Sequence, residues 1–326
     1  MPTLAPDPLA SLAPSDTIAV VYGVDNRFAV PLAASIQSAL DHLGPGHRLD
    51  IHIIDGGLSA RNRSRIEQSF CARSCRLMWL QPEERSLASL KVGGAITVAT
   101  YYRLLIPRLL PTHAKAIYLD ADLIVQADLA DLWKVPIAEH DLLAVQDQGV
   151  RLISGPFGLT NYKSLGIPEG RKYFNAGVLV LNLENWRRDQ TAERIVEYVS
   201  QHHEYIRFHD QDGLNAILWR SWGELDPRWN QMPQILQVAS AEESPFDPKT
   251  YKNVIDHPYI IHYASADKPW RFGCRHPAVS RFFESLDRTV YRGYRPSRWR
   301  TRISDATYLA RTRLKRIIRL AQRHRA

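Results

Sequence analysis

Thr17-Ile-Ala-Val-Val-Tyr-Gly23 is a β-branched apolar run that stops at a glycine, and it reads as a strand buried on both faces. Asp25-Asn26 stands at its end, and residues 30–43 carry apolar side chains at helical spacing. Residues 49–54 alternate like a second strand and end at Asp55-Gly56-Gly57. Residues 59–69 read as a helix and 76–80 as a third strand. A β-α-β-α-β order implies parallel strands joined by crossover helices, hence an open doubly wound α/β sheet. Such sheets bind ligands beyond the carboxyl ends of their strands, which directs attention to residues 22–26 and 120–122. Further on, Asp226-Pro-Arg-Trp-Asn230 reads as an irregular loop, and 254–263 contains a late strand.

The chain has 326 residues, 45% hydrophobic and 23% charged, which is ordinary globular composition and argues against a disordered or fibrous protein. No apolar run approaches the roughly 18–20 residues of a membrane span. Residues 1–15 contain Pro2, Pro6, Pro8 and Pro14, with no Lys or Arg before Arg27; they lack the basic start and apolar core of a secretory signal and read as a disordered leader. Three cysteines, Cys71, Cys75 and Cys274, are too few for a disulfide framework and are expected to be reduced. The net charge of +8 is unevenly placed. From Arg288 to Ala326 there are 13 Lys+Arg and one acid, leaving 29 basic and 33 acidic residues for the rest, a net −4. A mildly acidic body with a basic appendage does not fit a nucleic-acid binder.

Four segments carry chemistry. In Lys115-Ala-Ile-Tyr-Leu-Asp-Ala-Asp-Leu-Ile-Val125, a strand runs into Asp120-Ala121-Asp122 and a second apolar strand follows. Two carboxylates one residue apart can share a hard divalent cation, and that cation can hold a diphosphate; the competing reading is a solvated turn. In Tyr173-Phe-Asn-Ala-Gly-Val-Leu-Val-Leu-Asn182, Asn175-Ala176-Gly177 precedes an apolar strand. Small residues there admit a ligand to the backbone, and the amide offers it both donor and acceptor; a plain turn is as good an explanation. Asp210-Gln211-Asp212 opens a helix, where capping accounts for one acid but less well for the cluster. In Ile260-Ile-His262-Tyr-Ala-Ser-Ala-Asp-Lys268-Pro-Trp270, His262 is suited to complete a metal site and Lys268 to contact phosphate, although a lone histidine after a strand is usually structural.

Together, in this order and spacing, the four segments resemble the family 8 retaining glycosyltransferases, with closest likeness to bacterial galactosyl- and glucosyltransferases of lipopolysaccharide and lipooligosaccharide synthesis. The resemblance extends over about residues 18–270. It implies a single α/β domain of the glycosyltransferase A type (Rossmann-like) over 16–287, with a mixed, mostly parallel central sheet, and a basic helical tail over 288–326. It implies a nucleotide-sugar donor, usually UDP-linked, and a requirement for Mn2+ or Mg2+. Carried over by position, Asp120, Asp122 and His262 match the metal ligands. Tyr22, Gly23, Asp25 and Asn26 match the loop that holds uracil and ribose, and Arg103, in Thr100-Tyr-Tyr-Arg103, matches an arginine on the donor sugar. Asn175 and Ala176 match sugar contacts, Gln211 the residue on the sugar's β face flanked by Asp210 and Asp212, and Lys268 the lysine on the diphosphate. Ala121 and Ser265 complete the donor-contact set, and Asp147 corresponds to an acid near the acceptor. The sequence departs at Ala95, where family members often have histidine, and at Ser265, where they often have glycine; Ala95 leaves room for a different acceptor.

This implies a metal-dependent retaining hexosyltransferase moving glucose or galactose from a UDP-sugar to a glycan or lipid-linked acceptor. Gln211, with Asp210 second, is the candidate for stabilising the oxocarbenium-like centre or attacking it; a neutral amide is a poor nucleophile, which favours stabilisation. In the tail, Ala310, Leu314, Ile317, Ile318 and Ala321 fall on one helical stripe amid Arg311, Arg313, Lys315, Arg316, Arg319 and Arg323. A basic amphipathic helix reads as an anchor to an anionic membrane, which places the enzyme in the cytoplasm, peripheral on the inner face of the cytoplasmic membrane. A solvated helix packed on the body is the alternative. Two other classes compete: a non-catalytic UDP-sugar binder, which would need a damaged metal or sugar site, and a nucleic-acid binder using the tail, which leaves all four segments unexplained.

Overall fold

The computed structural model describes residues 17–71, 74–87, 90, 97–299 and 301–302. The leader, Ala95 and the amphipathic stripe from Ala310 onward lie outside the described residues. The opening run forms β1 (Thr17–Val24), followed by α1 (Ala29–Asp41), β2 (Arg48–Asp55), α2 (Ala60–Phe70) and β3 (Cys75–Leu80). β1 pairs in parallel with β2, and β2 with β3, so the reading of this half from its apolar periodicity holds. The reason is visible on β1. Ile18, Val20, Tyr22 and Val24 enter one core, and Ala19 and Val21 enter the other, on the opposite face. A strand covered on both faces has no use for polar alternation. Ser59 starts α2 by accepting a hydrogen bond from the Asn62 N–H at 3.3 Å.

After a 3-10 segment, Val98–Leu105, the chain continues through α3 (Ile106–Leu109), β4 (Lys115–Leu119), β5 (Leu123–Val125), α4 (Leu129–Lys134), β6 (Leu142–Gln146), β7 (Phe174–Asn182), α5 (Leu183–Arg188), α6 (Thr191–Gln201), α7 (Asp210–Leu218), β8 (Trp222–Glu224), α8 (Pro248–Asp256), β9 (Ile260–His262) and α9 (Val279–Leu286). The main sheet has the order β3-β2-β1-β4-β7-β6-β8. β4 extends the parallel set beside β1, whereas β7 runs antiparallel between β4 and β6. The sheet is therefore mixed and mostly parallel. A second sheet pairs β5 antiparallel with β9, opposing Leu123 to His262. It is tied to α1 by Ser38, whose Oγ accepts the Val125 N–H at 2.9 Å while donating to Ser35 O.

Two local expectations change. Asn175-Ala176-Gly177 lies within β7 rather than before it. Here side chains of α7 satisfy the strand's backbone: Asn215 both accepts from Phe174 N and donates to Phe174 O, each at 2.9 Å, and Gln211 Oε1 accepts from Ala176 N at 3.0 Å. Composition alone cannot separate such a strand end from a turn, because the partners come from 35–41 residues away. The stretch read as an irregular loop is a 3-10 turn, Pro227–Asn230, started by Asp226. The three thiols are free, and no helix among the described residues is long and apolar enough to cross a membrane.

In the middle of β2, His52 is buried and packs edge-on against His113, ring centres 5.1 Å apart. Burial, then the neighbouring His113, lowers its pKa to about 4. Folding thus favours the neutral ring. The associated stability is complete above the unfolded value near 6.5 and is lost as pH falls from about 6.5 towards 4, at no more than about 1.4 kcal/mol per pH unit for one proton. Thermal melts across that window should show a shallower fall in Tm for His52→Leu than for the wild type; identical slopes would refute this source of acid sensitivity.

Candidate active site

The carboxyl end of β4 and the strand pair β5–β9 meet around Asp120, Asp122 and His262. Asp120 and Asp122 occupy the tight link between β4 and β5. Backbone bonds hold that link from both sides: Asp120 N donates to Gly177 O at 2.8 Å, and Tyr263 N donates to Asp122 O at 2.9 Å. His262 ends β9, with its Nε2 3.3 Å from Asp122 Oδ1 and 3.7 Å from Asp120 Oδ2. The three ligand atoms lie within 4.8 Å of one another, and this is the one such cluster among the described residues. Asp122 and His262 are buried. Two carboxylate oxygens and an imidazole nitrogen, in this space, suit a divalent cation that favours oxygen with one nitrogen ligand. Lys268 donates to Asp122 Oδ2 and to Tyr263 O. Burial would raise the Asp122 pKa, but Lys268 and His262 outweigh it and hold the carboxyl well below the usual range.

Gly177 makes this cluster possible. A Cβ at that position would overlap His262 Cε1 and stand 2.8 Å from its Nδ1 and 3.0 Å from Asp120 Oδ2. The small residue admits the His262 ring to the strand, whereas its sequence context pointed to room for substrate.

Arg103, carried by the 3-10 segment, is buried and reaches three groups. It donates to Asp120 Oδ1 at 3.1 Å and to Ala176 O, and its Nε is 2.7 Å from Asp210 Oδ2. It also lies over the ring of Tyr118, whose hydroxyl donates to Asp120 Oδ1 at 2.7 Å. Tyr118 went unremarked in the sequence because it reads as an ordinary core position of β4. Asp210 is 2% exposed; burial, only partly countered by Arg103, raises its pKa to about 6.

Gln211 projects from the first turn of α7 against β7. Its Oε1 accepts from Ala176 N and Asn175 Nδ2, each at 3.0 Å, and its Nε2 donates to Asp147 Oδ2 at 3.1 Å. Asn175 Nδ2 also donates to Asp147 Oδ2 at 3.0 Å. Asp212 faces elsewhere. It accepts from Tyr173 OH and from the backbone N–H of Arg207 and Phe208, all at 2.7 Å, fixing the loop that leads into α7. That loop ends at His209, whose positive φ of 55° is uncommon for a residue with a side chain.

The loop after β1 is less concentrated on the cluster. The Tyr22 ring is wholly buried beneath α1, hydrogen-bonded to Ser35 at 3.1 Å, so only its backbone lies at the strand end. Gly23 packs closely on Tyr102. Asp25 pairs with Arg27 at 3.0 Å and accepts from Thr97 Oγ1 at 3.3 Å, and Asn26 binds Ser59 N and Asn62. Ala121 is buried in the core beside the acids, and Ser265 Oγ accepts from Asp267 N at 3.1 Å. Asn230 is the clearest omission from the sequence reading. It hydrogen-bonds His262 Nδ1 and Asn175 Oδ1, each at 2.9 Å, but no local pattern distinguishes it from other residues of a turn.

The fold has counterparts in known proteins. The chain is similar to the galactosyltransferase LgtC, solved in complex with donor and acceptor sugar analogues, at 26% identity and a TM-score of 0.73, covering 87% of this chain and 99% of that one. It is 28% identical to general stress protein A of Bacillus subtilis (strain 168) over 83% of this chain and 94% of that protein. It is 25% identical to the lipopolysaccharide 1,2-glucosyltransferase of Escherichia coli (strain K12) over 88% and 83% respectively. The model of glycosyl transferase family 8 matches residues 19–274, a span that begins in β1 and ends beyond Lys268 and so contains every group placed above. Matched by that family over most of its length and similar in fold to a galactosyltransferase, the chain is a glycosyltransferase and belongs to glycosyl transferase family 8.

Proposed function

We propose that this glycosyltransferase moves glucose or galactose from a UDP-sugar to a hydroxyl of a glycan or lipid-linked acceptor, with retention of anomeric configuration and dependence on Mn2+ or Mg2+. The observation that carries the reading is the Asp120–Asp122–His262 cluster standing one strand away from the Gln211–Asn175–Asp147 network. The similarity to the E. coli lipopolysaccharide 1,2-glucosyltransferase and to LgtC supports the hexose and the lipopolysaccharide-type acceptor.

Asp120, Asp122 and His262 would hold a divalent cation, which would supply Lewis-acid neutralisation of a diphosphate leaving group. Lys268, already directed at Asp122, is the second positive group for that charge. Tyr22, Gly23, Asp25 and Asn26 at the end of β1 take the uridine, with Ala121 and Ser265 lining the donor. Arg103 orients the donor sugar while keeping Asp120 in place. Gln211 presents its amide to the β face of the sugar, and Asn175 and Ala176 fix that amide from below. Its bonds to Ala176 N and Asp147 hold it in one orientation, which favours a preorganised dipole beside the cationic centre over a covalent role. Asp210 balances Arg103 and contributes negative potential nearby. Asp212 serves by fixing the entry to α7. Asp147, bonded to both Gln211 and Asn175, lies on the acceptor side.

The tail, from about residue 288, carries the basic charge, and we assign it to an anionic membrane surface at the cytoplasmic face, where a lipid-linked acceptor is found. A body of net −4 has no attraction of its own for such a surface. In sedimentation with liposomes containing phosphatidylglycerol, the full chain should pellet and a chain ending near Arg288 should not; equal pelleting would remove the tail from membrane binding.

Incubation with Mn2+ and a panel of UDP-sugars, followed by UDP release, tests the activity directly. Release should be greatest with UDP-glucose or UDP-galactose and abolished by chelation, and no release or binding with any UDP-sugar would overturn the reading. Asp122→Asn should lower kcat/KM by about 100-fold or more, equivalent to at least about 2.7 kcal/mol of transition-state stabilisation; wild-type rates would refute the metal role. Gly177→Ala should weaken Mn2+ binding by about tenfold or more, because the new methyl displaces the His262 ring, and should cost about 1–3 kcal/mol of stability. Calorimetric titration and thermal melting read the two effects separately, and an unchanged Mn2+ affinity would contradict the packing argument.

A further inference from the structure

Asn230 ends the 3-10 turn Pro227–Asn230 and is completely buried. Its backbone carbonyl is held by Gln148 Nε2 at 2.8 Å. Its side chain meets two groups, His262 Nδ1 and Asn175 Oδ1, each at 2.9 Å. Which amide atom faces which neighbour is dictated by the backbone of β7. The Gly177 N–H can only donate, and it donates to the Asn175 side chain at 2.9 Å, so the atom it meets is the amide oxygen. The Asn175 NH2 then faces Gln211 Oε1 and Asp147 Oδ2, each at 3.0 Å. This is consistent, since the first is the oxygen that accepts from Ala176 N–H and the second is a carboxylate. With Asn175 Oδ1 an acceptor, Asn230 must turn its NH2 toward it. Its oxygen therefore faces His262.

An amide oxygen accepts only, so His262 carries a hydrogen on Nδ1. In the neutral ring Nε2 is then a bare lone pair, and it points at Asp122 Oδ1, 3.3 Å away, and Asp120 Oδ2, 3.7 Å away. A lone pair facing two carboxylates is repulsive by itself and becomes a ligand set around a cation. We infer that Asn230 is a positioning residue. It locks His262 in the cation-ligating tautomer, and through its second hydrogen bond it fixes the orientation of Asn175 against Gln211. One buried amide thereby joins the cation cluster to the network assigned to the sugar. Metal-bound imidazoles depend in this way on the partner of their other nitrogen. The inference rests on reading Asp120, Asp122 and His262 as a cation site.

The test measures Mn2+ affinity by electron paramagnetic resonance on the full-length protein without donor. Asn230→Leu removes both hydrogen bonds and should weaken binding about 10–100-fold. Asn230→Asp keeps an oxygen for His262 Nδ1–H but sets a carboxylate against Asn175 Oδ1; it should bind Mn2+ close to wild type while transferring sugar more slowly. A purely structural role would not give that split. Wild-type affinity in a folded Asn230→Leu, or an affinity in Asn230→Asp as poor as in Asn230→Leu, overturns the proposal. If Asn230→Leu fails to fold by circular dichroism, the decision falls to Asn230→Asp and to nitrogen NMR of ¹⁵N-histidine-labelled wild type. In that spectrum Nδ1 of His262 must carry the proton, and a bare Nδ1 with a protonated Nε2 sinks the idea. Absence of Mn2+ binding by the wild type is a different failure, because it removes the cation site itself and the inference with it.

Discussion

Two carboxylates one residue apart, Asp120 and Asp122, are held at the inner edge of the sheet, and much of the surrounding chain answers their charge. Arg103 and the Tyr118 hydroxyl bond Asp120, and Lys268 bonds Asp122. Buried or half-buried like charges in this arrangement would be costly without partners. The three partners come from a 3-10 segment, from β4 and from a loop after β9, so satisfying the acids also draws separate parts of the chain together. The charge of the cluster is balanced by Lys268 at Asp122 and by Arg103 at Asp120.

Rigidity here comes from β7. Its Ala176 and Gly177 give their backbone N–H groups to side chains. Because backbone donors cannot change polarity, they impose direction on the side-chain amides of Gln211 and Asn175, and through Asn175 on that of Asn230. The same stretch supplies the missing Cβ that admits His262. One short segment of strand therefore sets both the packing and the polarity of the site, which explains why its composition is so unlike that of the apolar residues 178–181 that follow.

Much of this was legible beforehand. The first three strands and two helices follow from apolar periodicity, since each element is stabilised by neighbours only a few dozen residues away. Asp120 and Asp122 stand out because two acids interrupt two apolar strands, His262 because it ends a third and Lys268 because it follows it. Tyr22 shows the limit of such reading. Its place at a strand end is correct, yet its ring turns inward to Ser35. Asp212, likewise, shares a helix turn with Gln211 but points to Tyr173, because successive residues on a helix face directions about 100° apart.

What the sequence by itself determined is the α/β order and the types of chemical group available: two acids, a histidine, a lysine and an amide-rich strand. These depend on local periodicity and on side-chain chemistry, both carried by neighbouring residues. Only the tertiary structure decided that β7 runs antiparallel between β4 and β6 and that Gly177 faces the His262 ring. It also decided that Asn230, anonymous in its turn, stands between the two halves of the site. Those facts are set by hydrogen bonds and steric fit between residues 28 to 85 positions apart in the chain, and no local pattern encodes a partner at that distance.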